Sequence, residues 1–163
     1  MAGVSVDLEE LTEFLVFAKT RTYGGEGKKV IQPDGAKHFE PVTSGIWRYE
    51  DEYKRGKSRF GGRADVFHDD ELIWHMFYHG GMTPEFKNNP ELTKRTFAFL
   101  KKVLLHSGDA NSLLRGPATF RDGDFEYFNN TVEGDIAYYK GEEEIWLKND
   151  QVYVLRFIGG LIE

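Results

Sequence analysis

The chain has 163 residues, a formal net charge of −6 at pH 7 and no cysteine. A chain of this length buries about 70% of the surface that its unfolded form exposes, which is enough for a stable fold without disulfides. The lack of cysteine excludes disulfides and thiolate chemistry and fits a reducing compartment. We therefore predict one domain over residues 1–163 and expect it in the cytoplasm.

Membranes and nucleic acids are disfavoured as partners by the pattern of charged and apolar residues. Residues 1–19 lack the basic start and unbroken apolar run of a signal peptide, and no later run approaches the roughly 20 apolar residues of a membrane span. The densest basic stretch, residues 54–59, is short and follows the acids at 50–52. Because nucleic-acid binders usually carry a concentrated basic face, we predict no direct binding to DNA or RNA.

The first predicted element is a helix over about residues 7–19. Asp7 followed by Glu10 resembles the capping box with which many helices begin. The apolar residues after it recur at helical spacing and form one stripe. Its members are Leu8, Leu11, Leu15 and Ala18.

The glycine-rich stretch after this helix, residues 23–29, fails the test for a phosphate-binding loop. It follows a helix rather than a strand, and Lys29 stands where a P-loop has Ser or Thr. Its three glycines more simply allow a tight reversal of the chain. We include Tyr23 and Glu26 among the candidate ligand contacts, because such a loop can project side chains into a pocket.

The rest of the chain is predicted to form strands around a second helix. Asn89 suits the N-cap of that helix and Pro90 its first position, so we predict the helix from Pro90 to about His106. Alternating segments rich in aromatic and β-branched residues, separated by turn residues, are typical of antiparallel strands. They are predicted over residues 46–53, 63–68, 72–79, 125–130, 135–139, 144–147 and 151–158.

One phrase of the sequence occurs twice. Residues 73–81 read IWHMFYHGG, and residues 152–160 read VYVLRFIGG. Other matches follow in the same order at nearly the same spacing, for example Gly45–Tyr49 with Gly123–Tyr127. We predict an internal repeat of about residues 7–81 and 89–160. The alternative is that two meanders share turn chemistry by chance.

The repeat and the order of the elements predict an α+β fold. Each half has one helix and about three strands (α-β-β-β), and a pseudo-two-fold axis relates the halves. Together they form one curved antiparallel sheet with the helices packed on one face.

Strand alternation separates a core face from a second, chemically mixed face. Trp74, Met76 and Tyr78 share the core face with their apolar counterparts Tyr153, Leu155 and Phe157. The opposite face mixes aromatic, histidine, arginine and acidic side chains, as binding clefts and subunit contacts do. From it we predict these ligand contacts: Glu50, His75, Phe77, His79, Glu126, Phe128 and Arg156.

No complete catalytic or metal-binding constellation is evident. His75 and His79 are four residues apart on a strand, about 13 Å, which is too far for one metal ion. Adjacent acids such as Asp51-Glu52 and Glu142–Glu144 are expected by chance among 27 acidic residues. We therefore predict no catalytic residue, no metal and no cofactor.

The predicted function is binding of a small molecule, for which acids and aromatics suit a cationic or aromatic compound. One alternative is a small hydrolase-like enzyme that uses His75 or His79 with a carboxylate. The other is a protein–protein contact, including a homodimer.

Four segments also carry a family resemblance: FLVFAKTRTYGGEGKK, IWHMFYHGG, LLRGPATFRDGDFEYF and YYKGEEEIWLKNDQVYVLRFIGG. They resemble a bacterial and archaeal family of domains of unknown function, from about Leu11 to Gly160. In some relatives the domain follows an N-terminal helix-turn-helix of the Cro/repressor type. The resemblance implies a sensing or effector role and supplies no catalytic residues. The chain departs from the family at His75 and His79, where a smaller polar residue and another aromatic are expected.

Overall fold

The computed structural model describes residues 5–22, 29–106, 115–129 and 132–162. These residues form two helices and an eleven-stranded antiparallel sheet. The predicted α+β class is therefore confirmed.

Both helices begin at the caps that the sequence predicts. Helix α1 spans Leu8–Arg21, and the Asp7 carboxylate accepts hydrogen bonds from the backbone N–H groups of Glu9 and Glu10, at 2.8 and 3.2 Å. Helix α2 spans Pro90–Leu105, and the Asn89 side chain accepts from the N–H of Leu92. Neither helix is long and apolar enough to cross a membrane, within the residues that the structure describes.

The eleven strands follow in chain order. They are β1 (Lys29–Ile31), β2 (Lys37–Phe39), β3 (Val42–Ser44), β4 (Trp47–Arg55), β5 (Arg59–His68), β6 (Glu71–Met82), β7 (Thr119–Asp122), β8 (Phe125–Phe128), β9 (Glu133–Asp135), β10 (Tyr138–Leu147) and β11 (Asp150–Leu161). Their order across the sheet is β1-β2-β4-β5-β6-β11-β10-β8-β7, while β3 pairs with β4 and β9 with β10. The long strands β6 and β11 thus lie beside each other in the middle of the sheet.

The helices and one face of the sheet form a single buried core. Trp74, Met76 and Tyr78 of β6 are buried in it, as are Tyr153 and Leu155 of β11. The predicted stripe of α1 joins the same core, with Phe14 added and with Leu8 left 39% exposed, and α2 contributes Leu92, Phe99, Leu100 and Val103. We call the face of the sheet toward this core the inner face and the opposite one the outer face.

Some predicted strand boundaries are wrong. The predicted strand 135–139 is the end of β9, a turn and the start of β10, because the Asp135 carboxylate accepts from the N–H of Ala137 and reverses the chain. Strand β10 then continues through 140–143, where the sequence pattern predicts a break between two strands. The short strands β1, β2, β3 and β7 were not predicted, since three or four residues give too little alternation to be recognised.

Glycine at position 80 is required by the close approach of β11 to β6. A Cβ there would lie 2.7 Å from the Cβ of Leu155 and still closer to backbone atoms of Val154 and Leu155. Any side chain would therefore push the two central strands apart.

We expect Gly80→Ala to lower the free energy of unfolding by about 1–3 kcal/mol, the usual cost of overpacking. Gly56→Ala is the matched control, because a Cβ at Gly56 would make one ordinary contact, 3.4 Å from the Arg59 carbonyl oxygen. Urea denaturation followed by circular dichroism measures both. Equal losses in the two variants would contradict the close approach of β6 and β11.

Candidate functional site

The predicted contacts on β6 and β11 lie on the outer face. Phe77 and His79 are exposed and His75 is partly buried, whereas the residues between them face the core. In the strand register Phe77 is opposite Ile158, and His79 is opposite Arg156. The His75 and Phe77 ring centroids are 4.6 Å apart.

A groove of about 810 Å³ runs over strands β5, β6, β11 and β10 on this side of the sheet. Phe77, His79 and Arg156 line it together with Ile158. The structure thus brings three of the predicted contacts into one groove. His75 lies beside Phe77 rather than in the lining.

The predicted contacts on the flanking strands are separated from this groove. Glu50 on β4 is paired with Arg48, with 3.2 Å between Oε1 and Nε, and β5 lies between β4 and β6. Glu126 on β8 lies 3.9 Å from Arg121, and β10 separates it from β11. The structure does not gather these two acids around the central histidines.

The remaining predicted contacts add little to the groove. Phe128 on β8 is opposite Glu144 in the register with β10. Tyr23 and Glu26 lie outside the described residues.

The inner face holds a buried carboxylate that sequence reasoning missed. Asp51 on β4 is 1% exposed. The hydroxyl groups of Tyr49 and Tyr78 both donate to it, each at 2.9 Å. Each of its oxygens therefore accepts a hydrogen bond inside the core.

Glu143 on β10 is a second buried carboxylate with the same kind of partners. It is fully buried, and the hydroxyls of Tyr127 and Tyr153 donate to it at 2.5 and 2.7 Å. The Arg115 Nε–H also donates to it, at 3.1 Å, from a guanidinium side chain that is 4% exposed. Short hydrogen bonds to an ionised acceptor are among the stronger ones in proteins. Because burial and Glu143 both favour the neutral phenol, the pKa values of Tyr127 and Tyr153 are raised well above the usual tyrosine value.

Arg115 and Lys19 place positive charge next to the two carboxylates. The Arg115 guanidinium carbon lies 5.0 Å from the ring centroid of Tyr78, the tyrosine that donates to Asp51. Lys19, near the end of α1, keeps part of its side chain exposed, but its ammonium group is enclosed by protein atoms. Burial, reinforced by repulsion from Arg115 and opposed by attraction to Asp51 and Glu143, lowers the pKa of Lys19 to about 7.

The sequence contained a signal for both acids. Asp51 alternates with the outward-facing Glu50 and Glu52, which places it inward beside Tyr49. Glu143 is an even number of residues from the buried Tyr139 and Ile145, so it faces the core like them. The sequence pattern predicts a break in β10 at this point, and the break hides this alternation. Arg115 comes from an irregular segment, and no periodicity indicates its position.

A cavity of about 240 Å³ lies on the inner side of the sheet and ends on this network. Its described lining comes from the end of α1, from α2, from strands β1, β2, β4, β5 and β6, and from Arg115. We call it the helix-side cavity. The lining residues are Thr22, Lys29, Phe39, Tyr53, Arg55, Phe60, Tyr78, Phe97, Leu100, Lys101, Leu104 and Arg115.

The charged side chains in this described lining are all basic. Besides Arg115 they are Lys29, Arg55 and Lys101. The Arg55 guanidinium carbon lies 4.6 Å from the ring centroid of Phe97, and the Lys29 ammonium is between 5 and 6 Å from two aromatic rings. Chemically, the cavity combines aromatic walls with positive charge.

A third depression, of about 250 Å³, is acidic and lies beside β2, β4 and β5. Four acids line it, together with His38 and Arg63: Glu50, Asp51, Glu52 and Asp65. Burial raises the pKa of Asp65 above its usual value. Across the described ranges, no three His, Cys, Asp or Glu side chains converge in a way that could hold a metal ion. The acids of this depression therefore do not form a metal centre.

We expect Tyr127→Phe to lower the free energy of unfolding by about 1–3 kcal/mol, because the buried Glu143 loses a donor that water cannot replace. Tyr138→Phe is the control, since Tyr138 is 70% exposed, and it should change stability by less than about 0.5 kcal/mol. Urea denaturation measures both variants. Equal stability of Tyr127→Phe and the parent would contradict the buried hydrogen bond.

The lowered pKa of Lys19 predicts a dependence of stability on pH. Between pH 7 and 10.5 the unfolded lysine binds a proton that the folded one has released, so the free energy of unfolding should rise with pH. For one group the slope is at most about 1.4 kcal/mol per pH unit.

Urea denaturation of the parent and of Lys19→Met at pH 7.5 and 9.5 measures this contribution. Methionine keeps the aliphatic bulk without the titrating group, so the rise attributed to Lys19 should disappear. An unchanged pH dependence in Lys19→Met would assign it to other groups.

Comparison with known proteins supplies a family but no further relative. Searches of curated proteins and of solved structures return no match. One family model, described as Domain of unknown function (DUF5680), matches residues 51–162. This stretch covers most of the chain and includes both buried carboxylates, the central strands and α2. The chain belongs to the family of DUF5680 domains.

Proposed function

We propose that this domain binds a small molecule in the helix-side cavity and acts as a sensing module without catalysis. The observation that supports the proposal is the position of Tyr78 and Arg115. Both line the cavity, and both belong to the network around the buried carboxylates. Binding pockets commonly combine mostly apolar walls with a few fixed polar groups of this kind.

The hydrogen bonds and the positions of the two buried acids favour binding over catalysis. Asp51 and Glu143 accept hydrogen bonds from tyrosine hydroxyls, and neither acid belongs to the described lining of the cavity. A general base must lie within hydrogen-bond reach of the proton that it removes. These carboxylates are better suited to hold Tyr78 and Arg115 in place.

The hydrolase-like alternative would use the outer face. His75 is opposite Asp65 in the register of β6 with β5, so an imidazole and a carboxylate are neighbours there. If this alternative were correct, a substrate would be converted and His75→Ala would abolish the conversion. Saturable binding without product would favour the module.

The outer face is a second candidate for binding. Phe77 and Ile158 are opposite each other and remain 45% and 47% exposed in the middle of the sheet. An exposed apolar pair flanked by His79 and Arg156 suits either a cationic aromatic ligand or a second copy of the chain. Sedimentation at several concentrations would identify a homodimer.

We also propose that the chain contains an internal repeat. Tyr49 and Tyr127, which align in the repeat, each donate to a buried carboxylate. Strands β6 and β11, which carry the repeated phrase, pair antiparallel at the centre of the sheet. Both observations support two halves of common origin, related by a pseudo-two-fold axis and forming a curved sheet.

Three single-ring compounds test the proposed function: benzoate, benzyl alcohol and benzylamine. We expect at least one of them to shift the backbone amide signals of Tyr53, Phe60 and Leu100 saturably in two-dimensional NMR spectra. All three residues line the cavity.

A pair of variants locates the binding. Leu104→Trp should abolish it because the indole fills the cavity, whereas Leu105→Trp should not, since Leu105 is 45% exposed and outside the lining. Shifts confined to Phe77 and His79 would move the site to the outer face. No saturable shift with any of the three compounds would refute the proposal.

A further inference from the structure

We infer that the helix-side cavity selects small aromatic anions, such as a single ring that carries a carboxylate. The inference rests on the proposed function and names the class of ligand for the same site. Three observations carry it: the sign of the charges, the aromatic walls and the volume.

The first observation is that cavity-facing cations lack acidic partners that their sequence neighbours have. Lys54 lies 3.0 Å from Asp34, and Lys102 lies 2.7 Å from Asp122. Arg55 and Lys101, the adjacent residues, line the cavity instead. Neither pairs with a carboxylate in the described part of the chain.

Lys29 is a third cation in the lining of the cavity. It lines the cavity and pairs with no described carboxylate. The net charge of the whole chain is −6, so several cations that are unmatched among the described residues are contrary to the general balance. Cations that line one cavity with low-dielectric walls attract an anion more strongly than the same charges spread over an open surface.

The second observation is the arrangement of rings. Phe60 and Phe97 meet edge to face with centroids 5.6 Å apart, and Phe60 and Tyr78 do so at 6.3 Å. A flat ring is well matched to walls of this kind, because aromatic groups prefer edge-to-face or offset contacts. Tyr78 cannot rotate away without losing its hydrogen bond to Asp51.

The third observation is the volume. The cavity volume of about 240 Å³ lies below the roughly 300–1,000 Å³ of pockets that hold drug-sized ligands. This space suits one ring with a short substituent rather than a nucleotide or a fused polycyclic compound. The ring would contact Phe60 and Phe97, and the anionic group would lie toward Arg55, Lys101 and Lys29.

The same three compounds test the inference, since they differ mainly in charge. At pH 7.5 benzoate is an anion, benzyl alcohol is neutral and benzylamine is a cation. We expect benzoate to bind about tenfold more tightly than benzylamine, with benzyl alcohol between them, in the NMR titration. The expected order comes from attraction by the unmatched cations and repulsion of the amine.

Two double variants with equal charge changes complete the design. Arg55→Gln with Lys101→Gln should reduce the preference for benzoate to about threefold or less. Lys54→Gln with Lys102→Gln removes the same charge from the neighbours that point away, and it should preserve the preference. All four side chains are exposed, so both variants should retain the parent amide spectrum.

Each outcome has a distinct meaning. Equal binding of the three compounds, or tighter binding of benzylamine, overturns the anion preference but leaves a cavity that binds small molecules. A preference for benzoate that survives Arg55→Gln with Lys101→Gln contradicts the assignment of this preference to Arg55 and Lys101. Displacement of benzoate by an equal concentration of inorganic phosphate would contradict the claim that the cavity recognises the aromatic ring. Failure of all three compounds to bind overturns the proposed function as well.

Discussion

The structure depends on the hydrogen bonds by which tyrosine hydroxyls hold two carboxylates inside the core. An ionised carboxylate without partners costs several kcal/mol when it is buried, and losing one partner of a buried network is strongly destabilising. Asp51 takes its donors from β4 and β6, and Glu143 takes its donors from β8, β11 and Arg115. A shift of one residue in the register of β6 would turn Tyr78 to the outer face and leave Asp51 without that donor. The buried acids therefore help to fix the register of the sheet.

The same network determines the character of the helix-side cavity. Tyr78 and Arg115 line the cavity, yet their polar groups are directed to Asp51 and Glu143. The phenol ring and the guanidinium group are therefore held in place before any ligand arrives, which lowers the entropy that binding would cost. Positive charge without an acidic partner among the described residues comes instead from exposed side chains of the lining, such as Arg55 and Lys101. The cavity therefore has an aromatic interior that is held in place and a basic rim.

Much of the fold could be predicted from the sequence because alternation is a property of the strand backbone. This alternation predicts Trp74 in the core and Phe77 on the outer face, and the capping residues predict where each helix begins. The cavity could not be predicted in this way. The donor to Asp51 on β6 lies 27 residues away along the chain, and Arg115 belongs to a segment without periodicity. Only the pairing of strands and the distance between helix and sheet bring these groups together, and no local pattern encodes either.

The two faces of the sheet differ in how binding would act on the rest of the molecule. A ligand on the outer face would contact side chains such as Phe77 and Arg156, and Glu142, the ion-pair partner of Arg156, lines the same groove. A ligand in the helix-side cavity would contact Tyr78, which also holds a buried acid, and Leu100 of α2. Binding to the folded state alone adds to its stability, and the gain is felt by the elements that form the site. For the cavity those elements include the end of α1, helix α2 and the central strand β6. The proposed sensing role would need such a link between occupancy and the fold, and Tyr78 would supply it, because it both lines the cavity and holds a buried acid.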